Sequence, residues 1–190
     1  MKNNDLFSTL GVKVIHRAFD EAFCDLILQE LFDCYSRNET ELKEIELRKT
    51  YKHKLSRSLE EVVLKRVREE IQPELESFFG TKLSYSKPIQ TLLYNKGHFF
   101  KPHKDDIAAN SEFSRKITTV FFLNRQGTDP LTSEYEGGTL SLYGLLDQFP
   151  NNNFAMPCSK GTMVAFRADT IHEVTEITRG QRCSLVVWFN

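Results

Sequence analysis

The residues after Gly80 form short β-rich runs, and the breaks between these runs constrain the fold more than any other feature of the sequence. Glycine, proline and asparagine separate the runs and favour turns over continued strands. The runs are Ile89–Tyr94, Ile117–Leu123, Thr139–Tyr143, Met163–Phe166, Ile171–Val174 and Arg182–Phe189. The pattern ahead of Gly80 is helical instead. Helices followed by many short strands indicate an α+β, mainly β chain: a jelly roll (double-stranded β-helix) buttressed by N-terminal helices.

Two helices are predicted in the N-terminal part. Asp20 fits the N-cap of the first helix, whose apolar face carries Phe23, Ile27, Leu31 and Cys34. The second helix is predicted to open at the capping box Ser58–Glu61, which has the pattern Ser-x-x-Glu. Pro73 should kink or restart this helix, and Gly80 should end it. Between the two helices, the polar stretch Asn38–Arg57 is expected to be a solvated loop or an edge strand, with a substrate flap as the alternative.

The length and charge of the chain limit its organisation and partners. With 190 residues, one domain is expected over 1–190, with helical support at 1–82 and a jelly-roll core at 83–190. The net charge of −1 gives no overall basic field of the kind that nucleic-acid binders favour, and no apolar run approaches the length of a membrane span. The cysteines form no C-x-x-C pair, as is typical of isolated thiols in a reducing compartment. We therefore expect a cytoplasmic protein without nucleic-acid or membrane partners; its oligomeric state is not indicated.

His103 and Asp105 form an H-x-D triplet, and His172 follows far downstream. Two imidazoles and one carboxylate can occupy one face of an octahedral metal ion and leave the other face open, which suits non-heme Fe(II) oxygenases. Residues i and i+2 of a strand point to the same side, so His103 and Asp105 can share a target. Asp106 can compete as a ligand, but strand alternation favours Asp105. The alternative is a surface ion pair, with His172 as a core histidine.

Arg182 lies ten residues after His172, past a turn at residues 178–181. If the two residues occupy the arms of one hairpin, both can face the same cavity. A buried arginine there presents a planar fork that can hold a carboxylate bidentately. Ser184 faces the same way and can add a hydroxyl donor. The sequence therefore predicts an anion site next to the metal site.

With these residues in place, the chain resembles the prolyl 4-hydroxylase-like branch of the 2-oxoglutarate- and Fe(II)-dependent dioxygenases. The resemblance runs from about Ile89 to Phe189, and the residues before it carry only a general likeness. It rests on several motifs in the right order: Leu93-Tyr94 before Gly97, Phe99–Asp105, Thr119–Asn124, Glu136–Leu140, Gly161–Phe166, His172–Val174, Gly180–Arg182 and Val187–Phe189.

The resemblance implies roles for the site residues, and the first of these is iron binding by His103, Asp105 and His172. Arg182 would pair with the C5 carboxylate of the cosubstrate 2-oxoglutarate. Tyr94 would line the same pocket, with Ser184 beside it. One position departs from the pattern, because oxygen-sensing relatives have a cosubstrate-binding tyrosine where Phe122 stands here. Ascorbate would be the reductant.

The reaction implied by the resemblance is hydroxylation of a C–H bond, in which 2-oxoglutarate and dioxygen yield succinate and carbon dioxide. Asp105 favours hydroxylation, because related halogenases leave the carboxylate position open for chloride. The favoured substrate is a prolyl residue in a peptide or protein, with Arg48–Arg57 and the loop Leu145–Met156 as walls beside the site. A free amino acid or a small metabolite is the alternative.

Two other functions agree less well with the sequence. Nucleic-acid demethylases resemble this chain in the triad, but they carry a second arginine where Trp188 stands here. A non-catalytic jelly-roll module that only binds metal is the rival from another class. Such a module does not need Arg182, since a metal site alone requires no carboxylate anchor.

Overall fold

The computed structural model describes residues 6–106, 114–128 and 134–190, and for residues 85–88 it describes the backbone alone. Residues 1–5 of the predicted helical support therefore lie outside the described part. The helices are α1 (Leu6–Thr9), α2 (Glu21–Ser36), α3 (Arg57–Arg66) and α4 (Gln72–Phe79), with a π-helical segment (Val67–Ile71) between α3 and α4. The strands are β1 (Lys13–Ile15), β2 (Glu41–Ile45), β3 (Arg48–His53), β4 (Tyr85–Tyr94), β5 (Phe99–His103), β6 (Ile117–Phe122), β7 (Glu136–Gly137), β8 (Leu140–Tyr143), β9 (Asn153–Ala155), β10 (Met163–Arg167), β11 (His172–Val174), β12 (Ile177–Arg179) and β13 (Arg182–Phe189). Among the described residues, no helix is long and apolar enough to cross a bilayer.

Most of the strands form one antiparallel sheet that curls into a half-barrel. Its order is β1-β10-β6-β13-β4-β3-β5-β11-β8-β9, with β2 paired to β3, while β7 and β12 pair separately. Side chains from β13 and β4 line the same cavity as side chains from β5 and β11, which shows the curl. The architecture confirms the predicted α+β, mainly β jelly roll with helices packed against it.

Strand β13 separates the two cores of the molecule. Its odd-numbered residues 183–189 join the cluster that packs against the helices. Its even-numbered residues 182–188 face the interior of the curled sheet and line the cavity. Successive side chains of a strand point to opposite faces, so a strand that is covered on both faces is buried along its whole length. This alternation directs Arg182 and Ser184 into the cavity.

The helices cover the outer face of the sheet. Asp20 caps α2 as predicted, since its carboxylate accepts a hydrogen bond from the backbone N–H of Phe23 at 2.8 Å. The ring of Phe19 stacks on Phe121 of β6, with centroids 4.5 Å apart. Ile27 and Leu31 are fully buried against the same face. The helical layer therefore fixes the position of the strands that carry the cavity.

The second helical stretch begins earlier than predicted. Helix α3 starts at Arg57 after Ser56, so the capping box at Ser58–Glu61 is wrong. The backbone N–H and the hydroxyl of Ser56 both donate to the carboxylate of Glu30 on α2, and this contact sets the start of the helix. The π-helical segment precedes Pro73, which lacks an N–H for the helical ladder, and Gly80 ends α4 with φ of 64°.

The expectation for the stretch Asn38–Arg57 is right for one strand and wrong for the other. Strand β2 is an exposed edge strand, and β3 is its one partner among the described strands. Strand β3 lies inside the sheet instead, where Tyr51 pairs with Leu42 on one side and with Leu93 on the other. Thr50 is fully buried, and its hydroxyl donates to the backbone carbonyl of Leu93 at 3.1 Å. Residues 1–82 thus contribute strands to the sheet that holds the cavity, in addition to the helices.

Candidate metal and cosubstrate site

Three metal-ligating side chains meet inside the curled sheet. His103 ends β5 and His172 begins β11, and the two are direct partners in the antiparallel pairing of these strands. The carboxylate of Asp105 lies between them, with Oδ1 3.7 Å from His103 Nε2 and Oδ2 3.6 Å from His172 Nε2. All three ligating atoms lie within 4.8 Å of one another. Their side chains are at most 12% exposed, which excludes the alternative of a surface ion pair.

Backbone carbonyls orient both imidazole rings. The Nδ1–H of His103 donates to the carbonyl of Lys101 at 2.8 Å, and the Nδ1–H of His172 donates to that of Thr170 at 3.0 Å. A carbonyl can only accept, so these contacts place the proton on Nδ1 in each ring. The Nε2 lone pairs therefore point into the site, as metal ligation requires.

Asp105 lies beyond the end of β5, which stops at His103. The predicted strand alternation therefore does not orient its carboxylate, and contacts with other elements do so instead. Its backbone N–H donates to the carbonyl of Ala168 at 2.9 Å. Its Oδ2 accepts from Thr118 Oγ1 at 2.9 Å and from Trp188 Nε1 at 2.8 Å. These donors fix the plane of the carboxylate and leave Oδ1 directed toward His103.

Asp106, the alternative ligand, points elsewhere. Its side chain lines a separate cavity, together with Ser114 and Arg167. The ligand cluster contains Asp105 and not Asp106. The structure therefore brings together the three ligands that the sequence predicts.

Aromatic rings pack against both histidines. The ring of Phe100 stacks on His103 with centroids 3.5 Å apart, and Phe166 meets His172 edge-on at 4.8 Å. Burial, followed by the neighbouring His172, lowers the pKa of His103 to about 4. His103 is therefore neutral at neutral pH, and a neutral imidazole is the form that binds a metal cation.

Arg182 lies in the same cavity without a counter-charge. It is 1% exposed, its Nη1 donates to Ser184 Oγ at 3.0 Å, and its Nε and Nη2 have no hydrogen-bond partner. No carboxylate forms an ion pair with it in the described part of the chain. The rings of Tyr94 and Phe122 each lie 5.3 Å from its guanidinium carbon. Because an unpaired buried charge is costly, this arrangement fits an anionic ligand.

The strand arrangement that places Arg182 at the cavity differs from the predicted one. His172 and Arg182 do not occupy the arms of one hairpin, since β11 pairs with β5 and β8 whereas β13 pairs with β4 and β6. The curl of the sheet brings the two residues together instead. Tyr94 lies directly opposite Arg182 in the pairing of β4 with β13, and burial raises the pKa of its hydroxyl.

Tyr135 is a residue that the sequence did not reveal. It is fully buried, and its hydroxyl has no hydrogen-bond partner in the part of the chain that the structure describes. It packs beside Arg182 over Gly138, where an added Cβ would lie 2.9 Å from Arg182 Cδ and 3.3 Å from Tyr135 Cε2. Gly138 has φ of 60° and leaves the room that both side chains occupy. Tyr135 thus brings a second phenol near the guanidinium, in a region where Phe122 contributes none.

The triad and Arg182 open into one cavity of about 360 Å³. Its wall includes cationic side chains from Arg48, Lys52, Lys104 and Arg115, whereas Asp105 is the one carboxylate among the described residues that line it. The hairpin of β2 and β3 forms part of this wall. The segment Leu145–Met156, predicted as a second wall, supplies no lining residue within the described part of the chain.

Comparison with known proteins identifies the family. The family model described as "2OG-Fe(II) oxygenase superfamily" matches residues 89–190, more than half of the chain. The chain belongs to the 2OG-Fe(II) oxygenase superfamily. The family name specifies iron and 2-oxoglutarate, and the matched region contains the triad and Arg182. Imidazole and carboxylate donors with open positions are the set that non-heme Fe(II) oxygenases use, so the residues present fit this metal.

Similar sequences include PKHD-type hydroxylases from several organisms. The chain is 28% identical over 127 residues to a PKHD-type hydroxylase of Maricaulis maris, covering 64% of this chain and 52% of that protein. It is 32% identical over 100 residues to a PKHD-type hydroxylase of Methylobacterium nodulans, covering 50% of this chain and 39% of the relative. The chain spans about half the length, or less, of the curated relatives it matches.

Solved structures share the fold over almost the whole chain. A Pseudomonas putida prolyl-4-hydroxylase superimposes with a TM-score of 0.72 at 19% identity, covering 97% of this chain and 94% of that one. A Trichoplax adhaerens prolyl hydroxylase in complex with a hypoxia inducible factor peptide fragment gives a TM-score of 0.69 at 15% identity, covering 96% and 84%. The epimerase SnoN of nogalamycin biosynthesis gives 0.73 at 17% identity, covering 97% and 79%. At these identities the comparison establishes the jelly-roll fold alone.

Proposed function

We propose that this protein is an Fe(II)- and 2-oxoglutarate-dependent dioxygenase that hydroxylates a C–H bond and releases succinate and carbon dioxide. The observation that carries the proposal is the presence, in one cavity, of the metal triad and the unpaired guanidinium of Arg182. A module that only binds metal would retain the triad, but metal binding alone does not require the buried Arg182 guanidinium without a counter-charge.

In this proposal, His103, Asp105 and His172 hold the iron. When bound with 2-oxoglutarate, iron would supply the oxidative chemistry in which dioxygen gives one oxygen atom to the substrate and the other to the succinate formed by decarboxylation of the keto acid. The protein contributes orientation. The carbonyls of Lys101 and Thr170 keep both Nε2 atoms directed at the metal, while Thr118 and Trp188 fix the Asp105 carboxylate.

Arg182 would anchor the C5 carboxylate of 2-oxoglutarate through its free Nε and Nη2 groups. Ser184 holds the third nitrogen, Nη1, so the guanidinium is already oriented before the ligand binds. The Tyr94 ring covers one side of the guanidinium and excludes water. Tyr135 would donate its unpaired hydroxyl to the same carboxylate, the contribution that Phe122 cannot make.

The proposed substrate is a prolyl residue in a peptide or protein. The support is the resemblance to prolyl 4-hydroxylases, the PKHD-type hydroxylases among the relatives, and an open cavity that the β2–β3 hairpin flanks. A free amino acid or small metabolite is the second candidate, and the cationic wall of the cavity favours a charged molecule of that kind. Ascorbate as the reductant and a cytoplasmic location remain parts of this proposal.

The test is turnover of 2-oxoglutarate by the purified protein with Fe(II) and ascorbate. We expect succinate formation, and the gain of one oxygen atom by a member of a panel of proline-containing peptides and free amino acids. His172→Ala should abolish succinate formation, whereas His16→Ala, at an exposed histidine outside the cavity, should retain it. Succinate formation by His172→Ala at the parent rate would overturn the assignment of the metal site. Turnover of free amino acids with no peptide modified would refute the peptide substrate only.

A further inference from the structure

The wall of the cavity carries positive charge that binding of the metal and the cosubstrate would not neutralise. Arg48, Lys52 and Arg115 line it in addition to Arg182. In the described part of the chain, none of these three forms an ion pair with a carboxylate. A divalent iron and the dicarboxylate 2-oxoglutarate cancel each other's charge, so their binding leaves this excess in place.

Three other basic side chains around β3 form ion pairs with carboxylates. Lys49 binds Glu44 at 2.6 Å, Lys101 lies 3.7 Å from Glu46, and Lys43 pairs with Glu41. These pairs lie outside the lining of the cavity. Along β3, the outward lysine is therefore paired, while the cations that face the cavity are not.

The unpaired cations lie next to the proposed reaction centre. Lys52 pairs across the sheet with Leu92, and Leu92 pairs with Ser184, so Lys52 lies in the same cross-strand row as the serine that holds Arg182. Burial, followed by the charge of Arg48, lowers the pKa of Lys52. The carboxylate of Glu41, opposite Lys52 on β2, is bound by Lys43. A partly buried ammonium beside other cations therefore still gains from a further anion.

The two arginines flank the metal ligands. The guanidinium of Arg48 lies 5.1 Å from the ring of Phe100, which stacks on His103. That of Arg115 lies 3.9 Å from the ring of Trp188, whose indole N–H donates to Asp105. A group bound between these arginines would therefore lie within reach of the metal.

The rim of the cavity is apolar rather than charged. Ile45 is 57% exposed and Leu47 is 39% exposed, and both line the opening at the end of the β2–β3 hairpin. The interior wall adds Leu92, Val120 and Val186. The opening can thus contact a hydrocarbon portion while the cations hold a charged group.

We infer that the substrate is an organic anion, whose carboxylate binds among Arg48, Lys52 and Arg115 and whose apolar portion contacts Ile45 and Leu47. The inference rests on the proposed function and narrows its substrate class. The carboxylate can belong to a free acid or to an acidic side chain beside a prolyl residue. These two sources present the same chemistry to the wall, and they are separated by the choice of probe.

The experiment uses the fluorescence of Trp188, the single tryptophan of the chain, which lies in the cavity wall. Protein loaded with Mn(II) and 2-oxoglutarate is titrated with two matched pairs of probes. N-acetyl-L-proline and N-acetyl-L-prolinamide test a free carboxylate. N-acetyl-Pro-Asp-amide and N-acetyl-Pro-Asn-amide test an acidic side chain. We expect the acid of at least one pair to bind saturably, and at least about tenfold more tightly than its amide, since a charge-assisted contact is lost in the amide.

Lys52→Met should weaken binding of that acid by about tenfold or more, because it removes the charge and keeps an unbranched side chain. Lys49→Met, on the same strand but paired outside the cavity with Glu44, is the matched control and should bind the acid as the parent does. Equal binding of acid and amide, binding of neither member of either pair, or an equal loss in both variants would each overturn the inference.

A second readout keeps this result separate from the proposed function. Binding of 2-oxoglutarate to the Mn(II) protein, and substrate-free succinate formation with Fe(II), are measured for the parent and for Lys52→Met. If both persist and the acid is not preferred, the inference about the substrate fails while the proposed function stands. If the parent neither binds 2-oxoglutarate nor forms succinate, the proposed function itself fails.

Discussion

Replacing Arg182 with methionine should weaken 2-oxoglutarate binding strongly without weakening the ligand-free fold. Arg182 is 1% exposed, and two nitrogens of its guanidinium, Nε and Nη2, have no hydrogen-bond partner among the described residues. In the ligand-free state the substitution removes an uncompensated buried charge, which is neutral or stabilising. Ser184 loses its partner at a cost of about 1 kcal/mol, which offsets part of that gain.

The expected loss of affinity follows from the two free donors. A hydrogen bond to a charged group contributes about 1.5–3 kcal/mol. Because neighbouring bonds do not add fully, we take about 3 kcal/mol for the pair, which corresponds to roughly a 100-fold loss of affinity. At a concentration of 2-oxoglutarate that stabilises the parent by about 2.7 kcal/mol, the variant should gain only about 0.4 kcal/mol. For a chain of this length the ligand-induced Tm shift should fall from about 5–10 °C to about 1 °C.

The assay is thermal unfolding with Mn(II), in the presence and absence of 2-oxoglutarate. Arg179→Met is the control, since Arg179 pairs with Glu136 at 2.8 Å outside the cavity and should leave the ligand-induced shift intact. Metal affinity should be unchanged in both variants. If Arg182→Met keeps the ligand-induced shift of the parent, or if its ligand-free Tm falls by as much as a buried structural ion pair would cost, the anchor role is refuted.

Three further substitutions test the roles of Trp188, Tyr135 and Glu76. Trp188→Phe removes the indole donor to Asp105, so metal affinity measured by titration should fall by about 10–100-fold while the fold is kept. Tyr135→Phe removes a hydroxyl without a partner, so 2-oxoglutarate affinity should fall roughly tenfold with no loss of ligand-free stability. The Leu83 N–H and its neighbours lower the pKa of Glu76 from 4.5 to about 2. The stability that this carboxylate contributes is therefore complete above pH 4.5 and lost toward pH 2, and Glu76→Gln should flatten acid unfolding over that window; an unchanged acid profile would exclude this role.

Chemistry that is carried by residue type was predictable from the sequence. His103, Asp105 and His172 were singled out because two imidazoles and one carboxylate suit non-heme iron, and the structure brings these three side chains together. The alternation along β13 likewise directs Arg182 and Ser184 to the cavity face, as its period of two requires. These features are local or depend on a motif, and they do not need the fold to be known.

Features set by distant contacts were not predictable. In the sequence, the hairpin of β2 and β3 looks like polar surface, because only Thr50 is fully buried within β3. The strands that hold this hairpin in the sheet, β4 and β5, are distant in sequence. The start of α3 depends on Glu30, which lies on another helix. Tyr135 belongs to no predicted ligand set, and its position beside Arg182 depends on the space left by Gly138. Sequence spacing alone could not show that the curl of the sheet, rather than a hairpin, joins the two halves of the site.

An anaerobic calorimetric titration of 2-oxoglutarate into the protein, with and without Fe(II), tests whether the triad and Arg182 form one site. We expect the ligand to be held at two ends, by the metal of the triad and by Arg182. Binding should therefore be tight and equimolar with Fe(II), and much weaker without Fe(II) or in His172→Ala. By thermodynamic linkage, 2-oxoglutarate should raise the affinity for Fe(II) by the same factor. Equal affinity for 2-oxoglutarate with and without Fe(II) would contradict the account, because the triad and Arg182 would then not form one site.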